Sequence, residues 1–149
     1  MSEFNDSIGK LNAAVYRNLQ SILNIKLQDI PIHGGQHDFL YVISKSEGIT
    51  QKELSQRLFV DKSTTAKAIK SLVALGYIKK ETSPEDKRFT KLYLTEKGHM
   101  IKARIQDTFL ELVQITARNL SVQEAEQTVL LLESVLSGLI EEKLRLSKK

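Results

Sequence analysis

Two segments with helix-start signals, separated by a gap of about three residues, constrain the fold more than any other feature of the chain. In the first, residues 50–58, Thr50 is followed three positions later by Glu53, which is the pairing of a capping box. The second begins at Asp61, a favoured N-cap residue, and ends at Gly76, because glycine commonly stops a helix in the left-handed conformation. A short helix, a tight turn and a second helix predict a helix-turn-helix.

The second of these helices has two different faces. Helical spacing places one set of side chains toward the core, namely Thr65, Ala68, Ile69 and Leu72. The opposite side carries the short polar and long basic side chains that contact with the major groove of DNA requires, namely Lys62, Ser63, Thr64, Lys67 and Lys70. The alternative for each lysine is a solvated helix face. Their clustering on one side of a capped helix favours DNA recognition.

We predict two roles for these exposed residues. Ser63, Thr64 and Lys67 should reach base edges, because Ser and Thr can hydrogen-bond bases at close approach and lysine can reach guanine. Lys62 and Lys70 should contact phosphates, which position a protein on the duplex without reading its sequence. The helix is therefore the predicted recognition helix.

The distribution of charge also indicates an anionic partner. Residues 50–98 contain eleven Lys and Arg against six Asp and Glu, a balance of +5, although the whole chain carries only +4. The rest of the chain is therefore slightly acidic. Excess positive charge confined to one segment is typical of nucleic-acid binding, with a solvated basic face as the alternative.

A predicted hairpin follows the recognition helix. The segments YIKKETS and RFTKLYLT have strand character, and they are joined by a turn that opens at Pro84. A hairpin after a helix-turn-helix predicts a winged helix. Arg88 at the tip can enter the minor groove, where the negative potential favours arginine. Asp86 can accept hydrogen bonds from its guanidinium group, and Lys87 should lie on the flanking backbone.

The two ends of the chain predict long amphipathic helices. Apolar residues recur at helical steps up to about residue 30, and further patterns begin near Thr95 and at Ser121, which forms a second capping box with Glu124. A winged-helix core is too small to cover three such stripes. We therefore expect the helices of a second copy to cover them, in a homodimer whose DNA site is an inverted repeat. The alternative is packing of the three helices within one chain.

The predicted fold is thus mainly α with a small β-hairpin wing, a winged helix-turn-helix flanked by long N- and C-terminal dimerisation helices. Its predicted parts are a dimerisation helix at residues 1–30, a DNA-binding domain at residues 31–98 and dimerisation helices at residues 99–149. Each part is defined by its expected role.

Residues 49–98 resemble the MarR (multiple antibiotic resistance regulator) family of bacterial transcription factors. The resemblance rests on ITQKELSQRLFVDKSTTAKAIKSLVALGYIKK and DKRFTKLYLTEKG. The wing pattern of that family has an Asp, any residue, an Arg and a strand ending in Leu-Thr, which here are Asp86, Arg88, Leu94 and Thr95. The resemblance implies an intertwined dimer that binds pseudo-palindromic promoter DNA, usually as a repressor. It also implies release from DNA by a small aromatic or amphipathic effector, bound between the dimerisation and DNA-binding regions.

The sequence offers candidate residues for an effector pocket. They are Tyr16, Arg17, His33, Phe39 and Tyr41. The alternative for each is ordinary packing in the core or in an interface. The absence of any effector is a further alternative, in which expression level sets the occupancy of DNA.

Other signals are less compatible with the sequence. A chain without cysteine cannot sense oxidants through a thiol. His33 and His37 have the spacing of two metal ligands on one helix face, but Gly34 and Gly35 lie between them and make a regular helix doubtful. We predict no metal site and no cofactor.

Composition bounds the remaining classes of function. No apolar run approaches the ~18 residues of a membrane span, and MSEFNDSIGK lacks the apolar core of a signal peptide, so we expect a cytoplasmic protein. The sequence has no cysteine nucleophile, glycine-rich phosphate loop or compact His/Asp/Glu cluster, which argues against an enzyme. A winged-helix protein-interaction module or a nonspecific DNA binder is the alternative function.

Overall fold

The computed structural model describes residues 2–33, 35–86 and 88–148, with side chains from Ser7 onward. The helices are α1 (Ser2–Lys26), α2 (Gln36–Lys45), α3 (Gln51–Leu58), α4 (Lys62–Ala74), α5 (Glu96–Ala117) and α6 (Val122–Ser147). The strands are β1 (Ile49–Thr50), β2 (Ile78–Thr82) and β3 (Thr90–Leu94). The chain divides into two compact units, residues 1–110 and 111–149. The fold is the predicted one, mainly helical with a small wing.

The helix starts follow from local capping. The Asp61 carboxylate accepts the Thr64 N–H at 2.7 Å, which confirms Asp61 as the N-cap of α4. Gly76 has a φ of +85°, which confirms the left-handed stop after that helix. At α3 the expected capping box is half formed. The Thr50 hydroxyl accepts the Glu53 N–H at 3.2 Å, but the Glu53 carboxylate bonds the Thr50 hydroxyl at 3.0 Å.

The sheet has the strand order β1-β3-β2, and both pairings are antiparallel. The hairpin β2–β3 is the predicted wing. Strand β1 was not predicted, because a two-residue strand carries no periodic pattern. It pairs Ile49 with Leu92 and Thr50 with Lys91. The wing is therefore hydrogen-bonded directly to the start of the helix-turn-helix.

The core of the first unit lies where the recognition helix, the wing base and the ends of α1 and α2 meet. The predicted inward side of α4 is buried in full, since Thr65, Ala68, Ile69 and Leu72 are at most 5% exposed. Leu92 and Leu94 of β3 are buried with them, as the alternation of that strand predicts. Apolar burial of this kind fixes how α4 stands on the rest of the unit.

The start of α5 passes very close to the end of the recognition helix. A Cβ atom added at Gly98 would lie 2.3 Å from the Tyr77 carbonyl oxygen, so only glycine fits there. The Thr95 N–H donates to the same carbonyl at 3.0 Å, and the Thr95 hydroxyl caps the Gly98 N–H at 3.0 Å. The segment after the wing is thereby fastened to the turn after α4.

The second unit contains the end of α5 and the whole of α6. Ser121 and Glu124 form both arms of the predicted capping box, with N–H to oxygen distances of 3.1 and 2.8 Å. None of the residues of α6, Val122–Ser147, is buried. Its apolar side chains include Val129, Leu132 and Leu139, which are 55%, 45% and 64% exposed. Among the residues that the structure describes, none buries a side chain of this stripe.

Candidate nucleic-acid interface

The exposed side of α4 carries the residues predicted to read DNA. Each of Lys62, Ser63, Thr64, Lys67 and Lys70 is solvent-exposed. The Thr64 hydroxyl donates to Asp61 at 3.1 Å, so its oxygen is the group that remains to meet a donor. These five side chains are therefore open to solvent, four in the first two turns of α4 and Lys70 in the third.

A buried pair of hydroxyl groups locks the two helices of the motif together. The Ser55 hydroxyl donates to Thr65 Oγ1 at 2.7 Å, and Thr65 donates to the Asp61 carbonyl at 3.0 Å. Both side chains are buried, so leaving either hydroxyl unpaired would be costly. Phe59 in the turn has a φ of +53°, the left-handed region that side chains disfavour. The periodic patterns of α3 and α4 do not predict this pair of hydroxyl groups, which joins the first helix of the motif to the recognition helix.

The tip of the wing contains a two-pronged ion pair. Arg88 donates from Nε and Nη2 to the two carboxylate oxygens of Asp86, at 3.0 and 2.9 Å, and its backbone N–H also reaches Asp86 at 3.0 Å. The hydrogen bonds to Arg88 hold the pKa of the Asp86 carboxyl below its usual range, and the same pair raises the pKa of Arg88. The Arg88 side chain is still 85% exposed. Lys87 lies outside the described residues.

The base of the wing has an anchor that sequence reasoning missed. A carboxylate oxygen of Glu47 accepts the Leu94 N–H at 2.8 Å and lies 3.4 Å from Nε2 of His99. The neighbouring Gly48 has a φ of +91°, and its N–H donates to Leu92 at 2.8 Å. No local pattern in the sequence predicts this contact, because Glu47 and Leu94 are 47 positions apart. These contacts hold β3 at a fixed distance from the start of the helix-turn-helix.

A cavity of about 350 Å³ lies between α1, the start of α2 and the recognition helix. Its lining includes Tyr16 and Phe39 from the predicted effector pocket, together with Asp38, Thr64 and Lys67. Burial raises the pKa of the Asp38 carboxyl, and the Gln20 amide, 3.4 Å away, opposes that rise. The cavity therefore joins an apolar wall to two residues of the recognition surface.

The other predicted pocket residues lie elsewhere. Tyr41 stacks on Phe109 with ring centres 4.3 Å apart, whereas Arg17 and His33 are exposed. His37 is fully buried, and neither of its ring nitrogens has a hydrogen-bond partner among the described residues. Burial, together with the nearby His33, lowers the pKa of the His37 imidazole.

The two histidines do not share a helix. Gly35 has a φ of +80° and precedes the first residue of α2, so His33 lies before the helix that contains His37. Within residues 2–33, 35–86 and 88–148, no three His, Cys, Asp or Glu side chains are grouped as a metal site requires.

Comparison with known proteins decides the family. The sequence profile of the MarR family matches residues 28–88. The HTH-type transcriptional regulator YybA of Bacillus subtilis is 31% identical over 121 residues, which cover 81% of each chain. The chain belongs to the MarR family. MarR family proteins are transcriptional regulators and not enzymes.

Solved structures of MarR family proteins agree with the fold. A MarR family transcriptional regulator from Listeria monocytogenes, in complex with a 26mer DNA, has a TM-score of 0.81 and 26% identity, covering 94% of this chain and 93% of that one. A MarR mutant from E. coli, complexed with operator DNA, has a TM-score of 0.73 and 28% identity, covering 87% of this chain and 94% of that one.

Among the described residues, no helix is long and apolar enough to cross a membrane.

Proposed function

We propose that this MarR family protein is a cytoplasmic repressor that binds pseudo-palindromic promoter DNA as a homodimer. The observation that carries the proposal is the Asp86–Arg88 pair, in which two hydrogen bonds orient an exposed guanidinium group at the tip of the wing. A bidentate pair limits the rotamers of Arg88, so less entropy is lost when it enters a groove. Repression follows from occupancy, because a protein bound across a promoter blocks access to it.

The recognition helix and the wing divide the reading of DNA between them. Ser63, Thr64 and Lys67 contact bases in the major groove, while Lys62 and Lys70 contact phosphates. Arg88 enters the adjacent minor groove, where a narrow groove strengthens the negative potential. Lys87 contacts the flanking backbone. The DNA complexes of the Listeria and E. coli proteins support this use of the fold.

The homodimer is supported by α6, whose apolar stripe contains no buried residue. Exposed apolar stripes of this length are typical of association surfaces. A second copy of the same helix offers a stripe of matching length and chemistry. Two-fold pairing then presents two recognition helices to successive turns of DNA, which requires an inverted repeat in the site.

A small aromatic or amphipathic compound bound in the cavity of about 350 Å³ would act as the releasing effector. Tyr16 and Phe39 supply apolar contact, and a ligand there also touches Thr64 and Lys67. Occupation of the cavity therefore competes with the contacts that these two residues make to DNA. Tyr16→Ala should weaken ligand-induced release while leaving DNA affinity in the absence of the compound unchanged.

The primary test is a pull-down of genomic fragments at near-physiological salt with the wild-type and Arg88→Ala proteins. We expect a few fragments that share an inverted repeat, with a loss of about 1–3 kcal/mol in their affinity on Arg88→Ala. Uniform recovery of all fragments would indicate a nonspecific binder. Recovery of none would indicate a protein-interaction module.

A second variant tests the division of roles. Lys70→Ala should weaken binding to all duplexes equally. It should also reduce the slope of log affinity against log salt by about one for each chain bound, the value of one phosphate contact. A change in sequence preference would contradict its assignment to a phosphate.

A further inference from the structure

A groove of about 620 Å³ lies between the wing and the first helix of the helix-turn-helix. It is lined on one side by Gln51, Lys52 and Gln56 of α3 and on the other by Lys80, Thr82 and Thr90 of the hairpin. Arg88 and the half-exposed Phe89 close it at the wing tip. We refer to this feature as the wing groove.

The wing groove exists because the inner face of the hairpin changes character along its length. Near the base of the wing, Ile78, Leu92 and Leu94 are buried against the core. Farther out, the same face continues with Lys80 and with the pair Thr82 and Thr90, whose hydroxyl oxygens are 3.2 Å apart. The inner face of the hairpin is therefore apolar where it packs on the core and basic and hydroxyl-bearing toward the tip. This outer part suits a polar ligand.

The wing groove contains positively charged side chains that are not neutralised by ion pairs among the described residues. Within the described part of the chain, Lys52 and Lys80 form no ion pair, whereas Lys79 on the outer face of the same strand pairs with Glu81 at 3.4 Å. The acid in the groove, Glu53, is engaged with the Thr50 hydroxyl and α3. Lys52 and Lys80 line opposite walls of one groove, so an anion bound in it gains attraction from both charges.

We propose that the wing groove binds a phosphate of the DNA backbone, clamped between Lys52 and Lys80. The proposal rests on the proposed function, because a wing in the minor groove and a recognition helix in the major groove must straddle one sugar-phosphate strand. The wing groove lies between the wing and the helix that precedes the recognition helix. The clamp therefore sets how deeply the wing, and with it Arg88, enters the minor groove. The two lysines are positioning residues and carry no base specificity.

The first test measures the affinity of the full-length protein for a mixed-sequence duplex across a series of salt concentrations. The variants are Lys52→Gln, Lys80→Gln and the double variant, with Lys91→Gln as the control that removes the same charge from the outer face of the wing. Each groove variant should reduce the slope of log affinity against log salt by about 0.9 for each chain bound. The control should leave a larger slope, closer to that of the wild type.

The second test uses the duplex recovered in the pull-down, with one uncharged methylphosphonate placed at successive positions. Wild-type affinity should fall at one flanking position in each half-site. The double variant, which lacks both lysines of the clamp, should lose no further affinity there, and each single variant should lose less than the wild type. The ratio of affinities for the recovered and mixed-sequence duplexes should stay the same in both lysine variants.

The outcomes separate the two proposals. If the wild type prefers a sequence and Arg88→Ala abolishes the preference, but both groove variants match Lys91→Gln, the clamp is wrong and the proposed function stands. If Lys80→Gln changes the preference for sequence, the phosphate assignment is wrong. If the wild type binds no duplex, both the clamp and the proposed function are overturned.

Discussion

The recognition helix α4 and the C-terminal helix α6 begin alike and end up in opposite environments. Each is amphipathic and starts at a short polar N-cap residue. Asp61 accepts the Thr64 N–H at the start of α4, and Ser121 accepts the Glu124 N–H at the start of α6. In α4 the apolar face is buried within the first unit. In α6 no residue is buried.

The difference shows that capping and periodicity form a helix but do not provide its partner. The apolar face of α4 is covered by its own chain, so its polar face is free for DNA. The face of α6 is left for something outside the chain, which we propose is a second copy. The following predictions test this contrast, from the largest expected effect to the smallest.

Leu139→Glu should abolish the dimer, because it sets like charges against each other inside an apolar seam. The side chain is 64% exposed within the single chain, so the monomer should keep its helical circular dichroism. Sedimentation equilibrium measures the loss. Gln127→Glu adds the same charge on the polar side of α6 and should remain dimeric. A dimer that survives Leu139→Glu would contradict the proposed interface.

Ile69→Ala should lower the free energy of unfolding by about 2–5 kcal/mol, because it removes buried methyl groups and leaves a cavity. Urea denaturation measures the change. The matched substitution in α6 is Val129→Ala, made in the monomeric Leu139→Glu protein, where the side chain is 55% exposed. There the change should stay within about 0.5 kcal/mol. Equal losses at the two sites would break the contrast between the helices.

Asp61→Ala and Ser121→Ala should each lower the free energy of unfolding by about 0.5–2 kcal/mol, the usual cost of an N-cap. Their effects on DNA should differ. Asp61→Ala frees the first turn of α4 and should also weaken DNA binding, whereas Ser121→Ala should weaken it less. Restoration of stability by Asp61→Asn, an equally good cap, serves as the control.

The smallest effects concern two similar exposed ion pairs, one in each region. The pKa of Asp86 is lowered by hydrogen bonds from Arg88, and the pKa of Glu142 is lowered by those from Arg145. A carboxyl with a depressed pKa is paired above its ordinary pKa and loses the pair as pH falls through the lowered value. The wing pair should therefore stay intact at neutral pH and be lost only in acid.

Carbon-detected NMR titration of the side-chain carboxyls measures both groups. Arg88→Gln should return the Asp86 pKa toward the ordinary value of about 3.9 and leave Glu142 unchanged. Arg145→Gln should do the reverse. An Asp86 titration that is insensitive to Arg88→Gln would show that the pair does not persist in solution.

Much of the candidate site could be predicted because its contacts are local. The N-cap of α4, the stop at Gly76 and the Asp86–Arg88 pair each join residues at most a few positions apart. Backbone geometry alone brings such groups together. The alternation of β3 and the spacing of α4 likewise follow from fixed periods. The half-formed cap at Thr50 departs from its pattern, since the Glu53 carboxylate bonds the threonine hydroxyl.

The long-range contacts carry no comparable signal. Glu47 and Leu94 are 47 positions apart, and their hydrogen bond depends on how β1 meets β3. The same holds for the cavity beside Tyr16 and for the wing groove, whose walls come from separate elements. The placement of Tyr41 against Phe109, away from that cavity, also depends on packing between α2 and α5.

The sequence by itself determined the helices, their ends, the wing and the basic surface, because these depend on side-chain chemistry and backbone propensity within a few residues. The tertiary structure decided which apolar faces are covered and which polar groups share a cavity. Burial depends on which residues are neighbours in space, and the sequence alone does not show which residues distant in the chain become neighbours. For this reason α4 and α6 have similar caps and apolar periods as sequences, and the structure shows that the apolar side of α4 is buried whereas α6 contains no buried residue.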